Sequence, residues 1–365
     1  MKKKRVIQRR MTVSNQQLPP RPSEVHAAAI AHELPGVNVV CTTVGRAQAA
    51  FEIASDRPQA VVTCCFFDLY QHDLAFAGWE RKPENLRARC VSDLPEGLCD
   101  LAVVPLLKSG EAEFTRELLQ QAFMQLGVGG VLVTAIDNPR DTWLREQLVS
   151  LGEKVRVRPD TGSKPATVGY VVEKTHELKK VRDFSCDVVF RDRTHLLTVH
   201  TRPGVFAHRR LDPGARHLLN AVDVAPGTHV LDIGCGSGGV ALGIAARDPS
   251  VEVCALDSSA RAIDCTRIGS QKNDLSNIAT YLEAGGTVPD PGTYDLVLAN
   301  PPYYANFRIA ELFVDAAWRA LAPGGTLLVV TKRPHWYLEH LPESWNDVAR
   351  EEVKTYHLIE AVRPV

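Results

Sequence analysis

Short apolar runs bounded by turn residues alternate along this chain with stretches whose apolar positions recur every three or four residues. "DLVLA" (295–299) and "TLLVV" (326–330) are nearly continuous apolar runs, as expected of strands covered on both faces. "VALGIAARDP" (240–249) sets Val240, Ala241, Ile244 and Ala245 on one helical face, and Pro249 stops the helix. "ELFVDAAWRAL" (311–321) repeats that spacing before a Pro-Gly-Gly turn. Alternation of strand and helix predicts a parallel sheet with helices on both faces.

The chain states this pattern twice. "PGVNVVCTTVGRAQAAFEIASDRPQAVVTCC" (35–65) lies over "PGTHVLDIGCGSGGVALGIAARDPSVEVCAL" (226–256) at a constant shift of 191. "CDLAVVPLL" (99–107) lies over "YDLVLANPP" (294–302), and "LGVGGVLVT" (126–134) over "LAPGGTLLV" (321–329), both at 195. A change of four is what one loop insertion gives. "GYVVEK" (169–174) and "YHLIEAV" (356–362) end the copies as strands, and "CDVVFRDRTHLLTVHTRPGVF" (186–206) predicts a hairpin between them. The expected fold class is therefore α/β, two tandem Rossmann-like domains. Residues 1–20 form a basic tail, 21–176 a first domain, 177–202 a linker and hairpin, and 203–365 a second domain.

Length agrees with two domains, since 365 residues exceed one ordinary domain. No apolar run reaches the ~18–20 residues of a membrane helix, and the basic N-terminus "MKKKRVIQRR" is followed by no apolar core of a secretory signal. The nine cysteines contain no C-x-x-C pair and several sit in apolar strand-like runs. Buried free thiols in a reducing cytoplasm, with no metal, are the expectation. Net charge is −1, so bulk attraction does not drive nucleic-acid binding. Two local patches are basic: the tail, and the stretch holding Arg191, Arg193, Arg202, Arg209, Arg210 and Arg216. Each is either a phosphate-binding patch or a solvated surface.

The copies differ where chemistry is expected. In the second, Asp232-Ile233-Gly234-Cys235-Gly236-Ser237-Gly238 follows a strand and opens a helix, with Asp257 ending the next strand, 21 residues past Gly236. An acid there can accept hydrogen bonds from both ribose hydroxyls, which points to an adenosine-containing cofactor. Gly239 leaves a dinucleotide fingerprint formally open. Asp232 weighs against it, because a carboxylate beside a pyrophosphate is repulsive, whereas it suits a ligand with a cationic amino group and a sulfonium. Cys235 is expected to pack rather than react. In the first copy the equivalents are Cys41, Thr43, Gly45 and Ala47. Phe66 falls near the ribose acid, and Val104-Pro105-Leu106 stand where the second copy has Asn300-Pro301-Pro302. The first domain is expected not to hold the cofactor.

"LDIGCGSG" with "LANPPY" resembles the class I S-adenosylmethionine-dependent methyltransferases that act on exocyclic amino or amide nitrogens. The tandem layout, with "PGVFAHRRLDPGARHLL" (203–219) before the glycine loop, is similar to the ribosomal RNA guanine-N2 methyltransferases. The resemblance implies catalytic Asn300, Pro301, Pro302 and Tyr303. The Asn300 oxygen and the Pro301 carbonyl each take one N–H of the amine, and Tyr303 stacks on the base. It implies cofactor contacts from Phe206, Asp232, Gly234, Cys235, Gly236, Gly238, Asp257, Ser258 and Asn300, and RNA contacts from Arg202, Arg209 and Arg210. Asp212 and Gly214 would line the entrance, and the position that contacts adenine in the family falls on Glu283-Ala284-Gly285-Gly286. The implied protein is a cytoplasmic monomer acting on ribosomal RNA or a ribosomal subunit. Methylation of adenine, or of a protein glutamine amide, uses the same corner, and a non-catalytic RNA-binding scaffold is the alternative from another class.

Overall fold

The computed structural model describes residues 19–77, 79, 81–160, 162, 166–302 and 307–365. The first half begins with α1 (Pro22–His32), β1 (Asn38–Thr42), α2 (Gln48–Asp56), β2 (Val61–Phe66), α3 (Leu69–Ala77) and β3 (Leu86–Cys90). It continues through β4 (Cys99–Leu106), α4 (Ala112–Gln125), β5 (Leu126–Ile136), α5 (Trp143–Val149), β6 (Val155–Pro159) and β7 (Val168–Glu173). β8 (Cys186–Asp192) and β9 (His195–Thr201) pair antiparallel as a separate hairpin. The second half runs α6 (Pro213–Ala221), β10 (His229–Ile233), α7 (Gly239–Ala245), β11 (Glu252–Asp257), α8 (Ala260–Lys272) and β12 (Ile278–Leu282). It ends with β13 (Tyr294–Ala299), α9 (Arg308–Ala320), β14 (Leu321–Thr331), α10 (His335–His340), β15 (Asn346–Val353) and β16 (Tyr356–Val362).

The two sheets have one topology. Their orders are β3-β2-β1-β4-β5-β7-β6 and β12-β11-β10-β13-β14-β16-β15. In each, five parallel strands are closed by an antiparallel pair. The glycine loop lies after the central strand β10, and the Asn-Pro-Pro corner after its neighbour β13. This is the crevice at the carboxyl ends of the strands where such sheets bind ligands. Strand pairing keeps the shift of 195 and overrules the placement of Val104 over Asn300. Val104 pairs with Thr134 and Ala299 with Val329, so Pro105, not Val104, holds the place of Asn300.

α7 departs from the one-faced helix that its spacing predicts, for all seven of its residues are buried. The hairpin is the reason: Phe190, Leu197 and Val199 join the same core cluster as Val240, Leu242 and Ile244. A turn of chain between the copies thus roofs the helix that follows the glycine loop.

The halves meet through charges as well as apolar surface. Arg202 donates to Asp93 and Glu117, the latter at 2.8 Å, and Arg261 donates to Glu117 at 2.5 Å and to the Pro203 carbonyl at 3.0 Å. The Arg261 guanidinium is 1% exposed and lies over Phe67 and Phe114, 5.1 and 4.7 Å from the ring centroids. Burial works against the charge on Arg202, and its carboxylate partners more than offset that, holding its pKa above the usual arginine value. The resemblance places Arg202 and Arg209 among the RNA contacts. Instead Arg202 is only 11% exposed among carboxylates, and Arg209 donates to Glu113 at 2.9 and 3.1 Å. Both serve the contact between halves, because acids sit opposite them on β3–β4 and α4. Arg210 is exposed and has no acidic partner among the described residues.

Candidate active site

The glycine loop is built by backbone that only glycine adopts readily. Gly234, Gly236 and Gly238 have φ of 73°, 55° and 82°. A Cβ on Gly234 would lie 2.9 Å from Phe313, and one on Gly238 2.8 Å from Thr266, whereas one on Gly236 would meet no atom within 4 Å. Packing demands the outer two glycines, and Gly236 opens onto space. Beside it, Asp257 Oδ2 accepts from Gly236 N at 2.9 Å and Oδ1 from Ser259 N at 2.8 Å. Each oxygen keeps a lone pair for a further donor, so a vicinal diol fits this carboxylate.

Asp232 lies beneath the loop, 3% exposed, accepting from Ala241 N at 3.1 Å. Burial pushes its carboxyl up to about 7, Ala241 N–H pulls it down, and Asp257 raises it further. Burial likewise pushes the Cys235 thiol well above its usual value, which removes the thiolate a nucleophile needs. The N–H groups of Gly234 and Cys235 both point inward to the Leu256 carbonyl, at 2.8 and 3.0 Å. Ser258 also turns away from the cleft, donating its hydroxyl to Asp68 of the first half at 2.6 Å while its carbonyl accepts from Leu69 N at 2.8 Å. The first half therefore braces the segment next to Asp257. Glu283 is engaged within its own turn, accepting from Gly285 N and Thr287 N.

At the corner, Asn300 Nδ2 donates to Asp212 Oδ2 at 2.8 Å. A carboxylate only accepts, so this bond fixes which end of the amide faces it and makes Oδ1 the acceptor end. The same Asp212 oxygen caps α6 by accepting from Ala215 N at 3.1 Å. Gly214 completes the clamp: a Cβ there would lie 2.7 Å from Asp212 Oδ2 and 2.9 Å from Asn300 Oδ1. Pro301 is buried and Pro302 half-buried beside Phe307, whose ring stacks on Trp336 at 5.9 Å and 7°. Tyr303 lies outside the described residues. Phe206 is 64% exposed on a loop held by Glu111, which accepts from Gly204 N, and by Glu113, which pairs with Arg209 and lies 3.3 Å from His208. Asp212→Ala is expected to lower turnover by about 10–100-fold through a misoriented amide, and to cost about 1 kcal/mol of stability as a lost cap. Steady-state kinetics and urea melts measure the two losses separately.

The equivalent place in the first half is filled from within. Glu24, on α1, is fully buried and accepts from Thr43 Oγ1 at 2.6 Å, Val44 N at 2.9 Å, Arg46 N at 3.2 Å and Gln48 N. Those groups form the loop that corresponds to Gly234–Gly239. The second half has Ala215 at the position of Glu24, with no carboxylate to insert. This supports the expectation that the first half holds no cofactor, through a residue that the loop sequence alone does not reveal.

Residues 196–360 match the family model described as methyltransferase small domain. A curated relative named ribosomal RNA small subunit methyltransferase C, from Chromohalobacter salexigens, is 35% identical over 152 residues, 38% of this chain and 44% of that protein. The relative of that name from Pseudomonas putida is 28% identical over 242 residues, 65% and 71% of the two chains. The chain thus spans less than half the length of the first curated relatives it matches. A solved structure, a T. thermophilus 16S rRNA N2 methyltransferase in complex with AdoMet and guanosine, superposes with a TM-score of 0.78 at 21% identity, over 94% of this chain and 92% of that one. The chain shares the fold of that solved structure, two tandem Rossmann-like domains, and residues 196–360 of its second half match the methyltransferase small domain.

Proposed function

We propose that the protein transfers a methyl group from S-adenosylmethionine to the exocyclic amino group of guanine in ribosomal RNA. Residues 203–365 carry the chemistry, and 21–176 form a non-catalytic partner. The observation that carries this reading is the Asn300 amide clamped by Asp212 at the end of β13, one strand from the open Gly236–Asp257 cleft. The curated relatives' name, and the guanosine in the structural neighbour, favour guanine over adenine or a glutamine amide.

The cofactor supplies an electrophilic sulfonium methyl when bound. Asp257 accepts from its ribose hydroxyls, and Asp232 provides negative charge near its amino group. An exocyclic amine is a weak nucleophile because its lone pair is delocalised into the ring. Asn300 Oδ1 and the Pro301 carbonyl each accept one of its hydrogens, which turns the nitrogen pyramidal and aims its lone pair. Positioning and charge placement by these groups carry the rate, and the proton leaves to solvent after transfer. Arg210 contacts RNA phosphate, and the protein acts as a cytoplasmic monomer. Among the described residues no helix is long and apolar enough to cross a membrane. Labelled-methyl transfer into ribosomal RNA followed by nucleoside analysis tests this function. Label in N2-methylguanosine is expected, and label elsewhere or none sinks it.

A pH dependence follows from Asp232. The bound amino cation requires the ionised carboxylate, so S-adenosylhomocysteine affinity is expected to rise as pH climbs through about 7. The contribution of this group to stability runs the other way. It is fully present below the unfolded carboxyl pKa of about 4 and is lost as pH rises through about 7. Asp232→Asn flattens both profiles. Calorimetric titrations from acid to mildly alkaline pH check this, and an affinity flat across the range contradicts it.

A further inference from the structure

We propose that a basic cleft in the first half, between α4, α5 and the segment 178–184, binds the RNA strand beside the methylated nucleotide. The proposal rests on the function above and adds where the RNA is held.

The cleft encloses about 590 Å³ and is lined by Arg116, Gln120, Gln147, Lys180, Arg182 and Phe184, with leucines at its base. That volume lies within the ~300–1,000 Å³ of sites that take small organic groups such as a nucleotide. Among the described residues, no carboxylate lines it. Two of its cations, Arg116 and Lys180, have no acidic partner among the described residues, and Arg182 has only Glu113, at 3.9 Å. Arg116 donates Nε to Gln147 Oε1 at 2.9 Å, and its guanidinium lies 5.3 Å over the Trp143 ring. The Arg182 guanidinium lies 4.8 Å over Phe184. Lys180 is exposed. Guanidinium groups set over aromatic rings, 5.3 and 4.8 Å from the centroids, put planar cationic groups in the cleft that can stack on a base, and their N–H edges, with the lysine, suit phosphate oxygens. A strand that alternates phosphates with flat bases matches both features.

The cleft is also placed to work with the active site. Arg182 Nη2 stands 3.9 Å from Glu113, the carboxylate that holds Arg209 and neighbours His208. Those residues belong to the loop that carries the exposed Phe206 and runs on to Asp212, the clamp on Asn300. One carboxylate therefore joins the wall of the basic cleft to the entrance of the proposed catalytic crevice. A strand lying across Arg182 towards Phe206 meets both.

The test uses the full chain. Arg116→Glu/Lys180→Glu is compared with the unaltered protein in filter binding to an in vitro transcript of small-subunit ribosomal RNA over a series of salt concentrations. The double variant is expected to bind about 10–30-fold more weakly, with a log–log salt slope shallower by about one to two. Its thermal shift with S-adenosylhomocysteine should be unchanged. Because Arg116 is half-buried, Lys180→Glu alone is measured too. It sits on the surface and is expected to weaken RNA binding about 3–10-fold without moving the melting temperature. RNA affinity and salt slope equal to those of the unaltered protein in both variants overturn the cleft. If that result comes with normal methyl transfer by the unaltered protein, the function stands and only the cleft falls. If the unaltered protein neither binds nor methylates the transcript, both fall.

Discussion

Asn300→Ala is expected to lower the rate of methyl transfer by about 10²–10³-fold while leaving S-adenosylhomocysteine affinity within about twofold. The magnitude is that of removing one preorganised acceptor from a site whose catalysis is electrostatic and positional. Cofactor affinity survives because the groups proposed to hold it, Asp232, Gly236 and Asp257, stand on β10, its loop and β11, and bond to one another and to Ser259 and Ala241 rather than to Asn300. Asp212 keeps its bond from Ala215 N in the variant, so α6 stays capped. Asn300→Asp should be at least as damaging, since it sets a second carboxylate against Asp212 and removes the donor that holds the side chain. Single-turnover assays beside binding isotherms separate the two quantities. A variant with full single-turnover rate removes Asn300 from the reaction.

The second large effect concerns stability. Glu117→Ala takes the shared acceptor from Arg202 and Arg261 and leaves Arg261, 1% exposed, with a buried charge facing only two rings, the Pro203 carbonyl and Asp93 at 3.8 Å. Removing one member of a buried ion pair costs about 3–5 kcal/mol. The loss should be read as a lower denaturant midpoint for the cooperative unfolding of both halves. Glu117→Gln, which keeps a hydrogen-bond acceptor of the same shape, should fall between. An unchanged midpoint in Glu117→Ala means that apolar contact alone holds the halves together.

Much of this arrangement is legible in the sequence. The two matching shifts predict two copies of one sheet. β1 and β10 begin at Asn38 and His229, and β4 and β13 at Cys99 and Tyr294, reproducing shifts of 191 and 195. The spacing of Asp232, the glycines and Asp257 is local, and strands and helices turn local spacing into geometry directly. What escapes is contact across long separations. Asp212 orients Asn300 from 88 residues away, and no spacing rule links them. Arg202 and Arg209 look like a phosphate-binding stretch because their partners, Asp93, Glu113 and Glu117, belong to the other copy. Helical spacing marks one face of α7 as apolar but does not reveal that a hairpin buries the rest. The Asn300 equivalent in the first copy is Pro105, as both the shift of 195 and the strand pairing give, not Val104.

Glu24 has a consequence for anyone seeking to revive the first copy. Restoring glycines at Thr43 and Ala47, an acid at Cys41 and another at Phe66 would rebuild the outline of a working cleft, yet leave it shut. A carboxylate tethered to α1 competes with any external ligand at an effective concentration that no diffusing molecule matches. The bolt must be drawn first, by exchanging Glu24 for the alanine found at Ala215, and only then do the other substitutions acquire a vacancy to serve.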